Sequence, residues 1–151
     1  MDLRTESEGL AVALELGLLT TTEVVAWADA QIEVLERPPL PLLEVALSQE
    51  SRWVDVASLL RQLPGNLDTS AASRRVLRLI LQGLEGGRLA PAQAARALFG
   101  LQGADLVPDP SARADMVRLD DAFELALREV WGTVDALTVE LRGFLARYAE
   151  P

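Results

Sequence analysis

GLLTTTEVVAWADAQIEVL, residues 17–35, holds a complete helix start followed by an amphipathic run. Thr20 followed by Glu23 is a capping box: the Thr hydroxyl accepts from the amide at Glu23, and the Glu carboxylate reaches back to the amide of Thr20. Leu19 and Val24 occupy the two positions of a hydrophobic staple. At about 100° per residue, Val24, Trp27, Ala28, Ile32, Val34 and Leu35 share one half of this helix, and Asp29, Glu33 and Glu36 lie on the other. Gln31 points into the apolar half, where an amide without hydrogen-bond partners costs about 1–3 kcal/mol. Gln31 is therefore either a hydrogen-bonded core glutamine or, with Trp27, part of a pocket.

The segments on either side read the same way. Residues 3–16 place Leu3, Leu10, Ala13 and Leu14 at helical spacing, and Gly17 stands where a glycine in the left-handed conformation ends a helix. Downstream, Pro38 and Pro39 stop the opening helix, and Pro41 fits the first turn of a short one running to about Ser48. That short helix is dense in Leu42, Leu43, Val45, Ala46 and Leu47, so it is expected to be buried on most sides. From Ser51, Trp53, Val56, Ala57, Leu60 and Leu63 form one apolar face until Pro64 and Gly65 end it. Asp68, Thr69 and Ser70 offer alternative caps for a helix over about 70–85 that buries Val76, Leu77, Leu79, Ile80 and Leu84.

RLAPAQAARALFG, residues 88–100, repeats the opening arrangement, with Leu89 as staple, Pro91 at the first helical position and Gln93 in place of Glu23. The segment from Leu14 matches that from Leu84 at a constant offset of 70 residues at Leu, Glu, Gly and Leu, and Trp53 falls opposite Phe123 at the same offset. Helix starts converge on such patterns for capping reasons alone, so the offset is a question for the structure. Residues 100–114 form the longest Gly/Pro-rich connection, after which Asp120, or Asp121 with Glu124 three residues on, is placed to cap a helix with Phe123, Ala126, Leu127 and Val130 on its face. The apolar pattern continues through Gly132 to Tyr148. Either one bent helix or two collinear ones explains this, and the break, with Thr133 as second cap, is favoured because Gly costs about 1 kcal/mol inside a helix. No segment alternates with period two, so no sheet is expected.

The composition removes most catalytic chemistry. The chain has 151 residues with no Cys and no His, and all 14 basic residues are Arg. Without thiol, imidazole or amine there is no thiol nucleophile, usual zinc ligand set, imidazole base, disulfide or Schiff-base lysine. Carboxylates, hydroxyls, Arg and Tyr148 remain. The acids Asp105, Asp109, Asp115, Asp120, Asp121 and Glu124 could supply oxygen ligands, but they lack the spacing of a calcium loop, and neither a metal nor a cofactor is expected. The net charge of −9 opposes nucleic-acid binding and suits a basic protein partner. No apolar run approaches the roughly 18 residues that cross a bilayer, and the acidic MDLRTESEGL start is unlike a signal peptide, so a soluble, cytoplasmic protein without membrane contact is expected.

Two polar surfaces stand out. Asp29, Glu33 and Glu36 form an acidic stripe on the opening helix, and Arg74, Arg75 and Arg78 a local basic patch. Either is ordinary solvated charge or a contact for a partner. Among the tryptophans, Trp131 beside Gly132 is the one expected to be partly exposed, and Trp27 packs inward. Gly17, Leu18, Leu19, Thr20, Glu23, Val24, Val25, Trp27, Ala28, Asp29 and Ile32 together resemble a pattern of small helical bacterial proteins, some of them similar to toxin-immunity proteins. The resemblance covers about a fifth of the chain and implies binding to a protein partner, with no catalytic residues.

The expectation is thus an all-α chain, residues 1–151, forming one compact domain of seven or eight short helices in an irregular or orthogonal bundle. Its expected role is a non-enzymatic interaction module, immunity-like, using an acidic helical surface. The alternative is a carboxylate-based enzyme or small-ligand binder with a pocket near Gln31, and homo-oligomerisation is compatible with both.

Overall fold

The computed structural model describes all residues, Met1–Pro151. Every regular element is helical: eight α-helices and one short 3-10 turn, with no strand. None of the helices is long and apolar enough to cross a membrane. Contacts group the chain into two units, Met1–Asp68 and Thr69–Pro151.

The first unit contains α1 (Leu3–Glu15), α2 (Thr21–Val34), α3 (Leu40–Ala46) and α4 (Trp53–Leu60). α1 packs on α4, α2 on α3, and α3 on α4. Leu10, Leu14, Val24, Leu42, Val45 and Leu60 are among the residues that fill its core. Asp2 caps α1 by accepting from the Arg4 amide at 2.9 Å. The buried Thr5 hydroxyl fastens the end of the unit, donating to the Asn66 carbonyl at 2.8 Å and accepting from the Asp68 amide at 2.9 Å. Thr20 caps α2 as its sequence requires, its hydroxyl accepting from the Glu23 amide at 3.2 Å.

The second unit contains α5 (Thr69–Glu85), α6 (Pro91–Gly103), the 3-10 turn Pro110–Ala112, α7 (Arg113–Leu127) and α8 (Val134–Tyr148). α5 packs on α8, α6 on α7, and α7 on α8, pairs that match those of the first unit by order, and here α6 also packs on α5 and α8. Its core includes Val76, Ile80, Leu98, Met116, Phe123 and Leu141, all fully enclosed.

The offset of 70 residues holds over the first two helices of each unit. α1 ends at Glu15 and α5 at Glu85; α2 begins at Thr21 and α6 at Pro91. Leu10, Leu14, Val24, Val25 and Ala28 are buried in one, and Ile80, Leu84, Ala94, Ala95 and Leu98 at the matching positions in the other. Gln93 makes the return half of a capping box, its Oε1 accepting from the Ala90 amide at 2.8 Å; an alanine side chain has no acceptor for the forward half. Beyond these hairpins the correspondence ends: Trp53 is 51% exposed at the start of α4, whereas Phe123 is buried in the middle of α7.

Four expectations need correction. α3 is one-sided: Leu42 and Val45 are buried, but Leu40, Leu43 and Leu47 are exposed. Trp53 and Val34 lie outside the apolar faces assigned to them. α7 starts at Arg113, so Asp120, Asp121 and Glu124 are interior to it; the turn before it is capped by Asp109, which accepts from the Ser111 amide at 2.8 Å. Finally, α7 stops at Leu127, which leaves Leu127 and Val130 exposed. Glu129, left-handed at φ 57°, ends α7, its amide donating to the Ala126 carbonyl at 3.1 Å and the Val130 amide to the Leu125 carbonyl at 2.9 Å. Gly132, also left-handed, leads into Thr133, which caps α8 by accepting from the Ala136 amide at 3.2 Å.

Candidate functional site

The charge is divided unequally between the two units. Residues 1–68 hold twelve acids and four arginines, a formal −8; residues 69–151 hold eleven acids and ten arginines, a formal −1. Almost the whole net charge thus belongs to the first unit.

α2, with Asp29 and Glu33, and the turn after it, with Glu36, carry part of it outward. Asp29, Glu33 and Glu36 are all exposed and take part in no ion pair, and neither does the adjacent Arg37. The remaining charge of the unit is more constrained. Arg61 lies between Glu8 and Glu15, with its Nε 3.4 Å from Glu8, and the hydrogen bond to Glu15 raises the guanidinium pKa further above its ordinary value. Arg4 meets Glu8 at 2.8 Å one turn along α1. Those four groups hold α1 and α4 together, whereas Asp29, Glu33 and Glu36, like Glu44 and Glu50, are exposed outside any ion pair.

Trp27 is partly buried, and its indole Nε1 donates to Glu6 Oε1 at 3.1 Å. That bond uses the one polar group of the ring. Gln31 is partly exposed on α2, at the position where the second unit buries Leu101.

The basic patch is engaged within the second unit. Arg74 Nη1 donates to the Tyr148 carbonyl at 3.0 Å and its Nη2 to the Pro108 carbonyl at 3.3 Å. The Glu150 amide donates back to the Arg74 carbonyl at 3.2 Å, and Arg75 pairs with the Glu150 carboxylate at 2.8 Å. A guanidinium planted on the last carbonyls of a helix satisfies acceptors that have no intrahelical donor and suits the negative end of the helix dipole. Arg74 and Arg75 therefore dock the end of α8 against α5, and Arg78 is partly buried on the same helix.

The acids of the second unit are dispersed among separate partners. Asp105 pairs with Arg113, Asp109 binds the Ser111 amide and hydroxyl, and Asp120, almost wholly buried, accepts from Arg96 at 2.9 Å. Asp115 and Glu140 both accept from Arg118, in a cleft of about 180 Å³ that Phe144 and Tyr148 also line. Both carboxylates are thus spent as acceptors on one guanidinium. The hydrogen bond to Glu140 raises the Arg118 pKa, with Asp115 adding to it.

The outer side of α7 forms a shallow groove of about 720 Å³ lined by Ala114, Val117, Ala122 and Leu125 and bordered by Arg113, Arg118 and Asp121. At the tip beyond it Trp131 is 76% exposed.

What sequence reasoning missed is apolar: the outward leucines of α3 and the exposed Trp53. Their signal was present in the spacing, since 40, 43 and 47 fall on one side of a helix and 42 and 45 on the other. Comparison with family models, with characterised proteins and with solved structures finds no match for this chain.

Proposed function

We propose that the chain is a non-enzymatic protein-binding module, immunity-like in kind, which acts in the cytoplasm and recognises a basic protein partner through the acidic helical surface of residues 1–68. The observation that supports this reading is the concentration of a formal −8 in those residues, with Asp29, Glu33 and Glu36 exposed and unpaired. A potential of that sign accelerates encounter with a positive surface and disfavours wrong partners. Chemistry has less to draw on, because the chain has neither Cys nor His and the cleft carboxylates Asp115 and Glu140 are engaged by Arg118. The other candidate, a small-ligand pocket at Trp27 and Gln31, is weakened by the engagement of the Trp27 indole with Glu6.

Affinity capture from the source cell at near-physiological salt tests the reading. A basic protein is expected to be retained by the native chain and lost from the Asp29→Asn/Glu33→Gln/Glu36→Gln variant. Recovery of no specific partner, or equal recovery by the variant, counts against it.

A further inference from the structure

The outward face of α3 is apolar where a solvated helix face is polar. Leu40, Leu43 and Leu47 stand at positions i, i+3 and i+7, on the side opposite the buried Leu42 and Val45, and Leu47 is 86% exposed. Single exposed leucines are ordinary, but a row of three along one side of α3 and its C-cap, Leu47, is a strip. Folding does not demand leucine there, since any good helix former serves at a solvent-facing position. α3 also packs on α4, whose first turn exposes Trp53 and Val54.

The charge around this strip decides what suits it. Glu44 lies within the row, and Glu33 and Glu36 on one side and Glu50 on the other are exposed within a few residues of chain. A second copy would bring a net −9 against a unit of −8, and an anionic lipid surface would be repelled in the same way. An uncharged apolar partner would have to desolvate carboxylates without compensation. A basic amphipathic helix gains on both counts, with apolar anchors for the leucines and Lys or Arg flanks for the glutamates.

We propose that the exposed face of α3, formed by Leu40, Leu43 and Leu47, is the docking strip for a basic amphipathic helix of a protein partner. This rests on the protein-binding reading above and gives it a contact surface. Apolar contact supplies the retention, and the surrounding acids supply orientation and speed of encounter.

The test is calorimetric titration of the full chain with a synthetic amphipathic peptide of leucine and lysine. Three variants accompany the native chain: Leu40→Asp/Leu47→Asp, Leu40→Gln/Leu47→Gln, and Asp29→Asn/Glu33→Gln/Glu36→Gln. Both leucines are exposed and Leu40 begins α3, where an acid is compatible with the helix dipole, so the fold is retained and circular dichroism checks it. Native binding is expected, weakening as salt is raised, with both leucine variants more than tenfold weaker although the Asp variant is more acidic. Unchanged or tighter binding by the Asp variant means that charge alone holds the peptide and overturns the docking strip, while leaving the acidic-surface reading in place if the triple variant weakens binding. No binding by the native chain overturns the strip as well, and the capture experiment then judges the broader reading by itself. Self-association of the native chain that the leucine variants abolish would assign the strip to a second copy and overturn the proposal.

Discussion

Gly17 and Gly87, seventy residues apart, hold the same left-handed conformation, with φ of 74° and 76°. Each lies just past the first helix of its unit, and each amide closes that helix, Gly17 on the Leu14 carbonyl at 3.1 Å and Gly87 on the Leu84 carbonyl at 3.4 Å. A Cβ added at either meets nothing within 4 Å, so the cost of Gly17→Ala or Gly87→Ala is conformational alone, about 1 kcal/mol each. Gly65 differs: its φ is 130°, and a Cβ would stand 2.1 Å from Asp2 Oδ1, the atom that caps α1. Gly65→Ala must displace that cap as well, which adds about 1 kcal/mol. Urea unfolding of the three variants is expected to rank Gly65→Ala as the most damaging; equal losses at all three would refute the steric part of the argument.

Ser73 is fully buried in α5 and its hydroxyl has no hydrogen-bond partner. An unsatisfied buried hydroxyl costs about 1–3 kcal/mol, and alanine is also the better helix former. Ser73→Ala should therefore raise the urea midpoint, by the equivalent of up to about 1 kcal/mol after loss of packing by the oxygen is allowed for. A lower midpoint would mean that the hydroxyl has a stabilising partner, such as bound water.

The parts of this fold that were legible in the sequence are those with local causes. Thr20, Pro91 and Thr133 set helix starts, and Gly17 and Gly87 set ends, because a cap or a left-handed turn is completed within a few residues, whereas α7 ends on a left-handed Glu129 that its residue type did not announce. The exposure of Asp29 and Glu33 followed from the helical period in the same way, whereas Glu36 lies beyond the end of α2 and is exposed in the following turn. Roles set across long stretches of chain left no local trace. Asp120 has the sequence environment of a cap, yet it is held inside α7 by Arg96, which is 24 residues away. Arg74 and Arg75 look like a solvated patch until the carbonyl of Tyr148 and the carboxylate of Glu150 are brought to them. α3 misled for a different reason: hydrophobic density implied burial on most sides, and only its neighbours determine which side the core takes.

Asp109 gives a pH dependence of known sign. The Ser111 hydroxyl and then the Ser111 amide bind its charged form, and the more distant Arg74 and Arg147 assist, so its pKa lies below the ordinary 3.8. The unfolded chain lacks these donors and titrates at the ordinary value. Between the two the unfolded state binds more protons, so this contribution is present above the ordinary value and is lost as pH falls through the folded one. A carboxyl-carbon NMR titration is expected to find the Asp109 midpoint below that of a free aspartate, and Ser111→Ala to move it upward. A native midpoint at or above the ordinary value would show that the turn before α7 is not held by this carboxylate.

Arg74 offers the sharpest test of how α8 is anchored. Its guanidinium spans the Tyr148 and Pro108 carbonyls, and Ser70 Oγ also donates to Pro108 at 2.6 Å, so one side chain links α5, the segment before α7 and the last turn of α8. Removing it leaves a helix-end carbonyl without its charged donor. Hydrogen bonds from a charged group contribute about 1.5–3 kcal/mol, and Arg74→Ala is expected to cost an amount in that range. Lysine has the charge but not the fork that reaches two acceptors, so Arg74→Lys should recover less than half of the loss. The damage should also be local: the Glu150 amide, which donates to the Arg74 backbone carbonyl, is expected to exchange with solvent at least tenfold faster in Arg74→Ala, with the core amides of α1 unaffected. Unchanged exchange at Glu150 would mean that the Arg75–Glu150 pair and the buried Leu141, Phe144 and Leu145 hold the end of α8 without the Arg74 side chain.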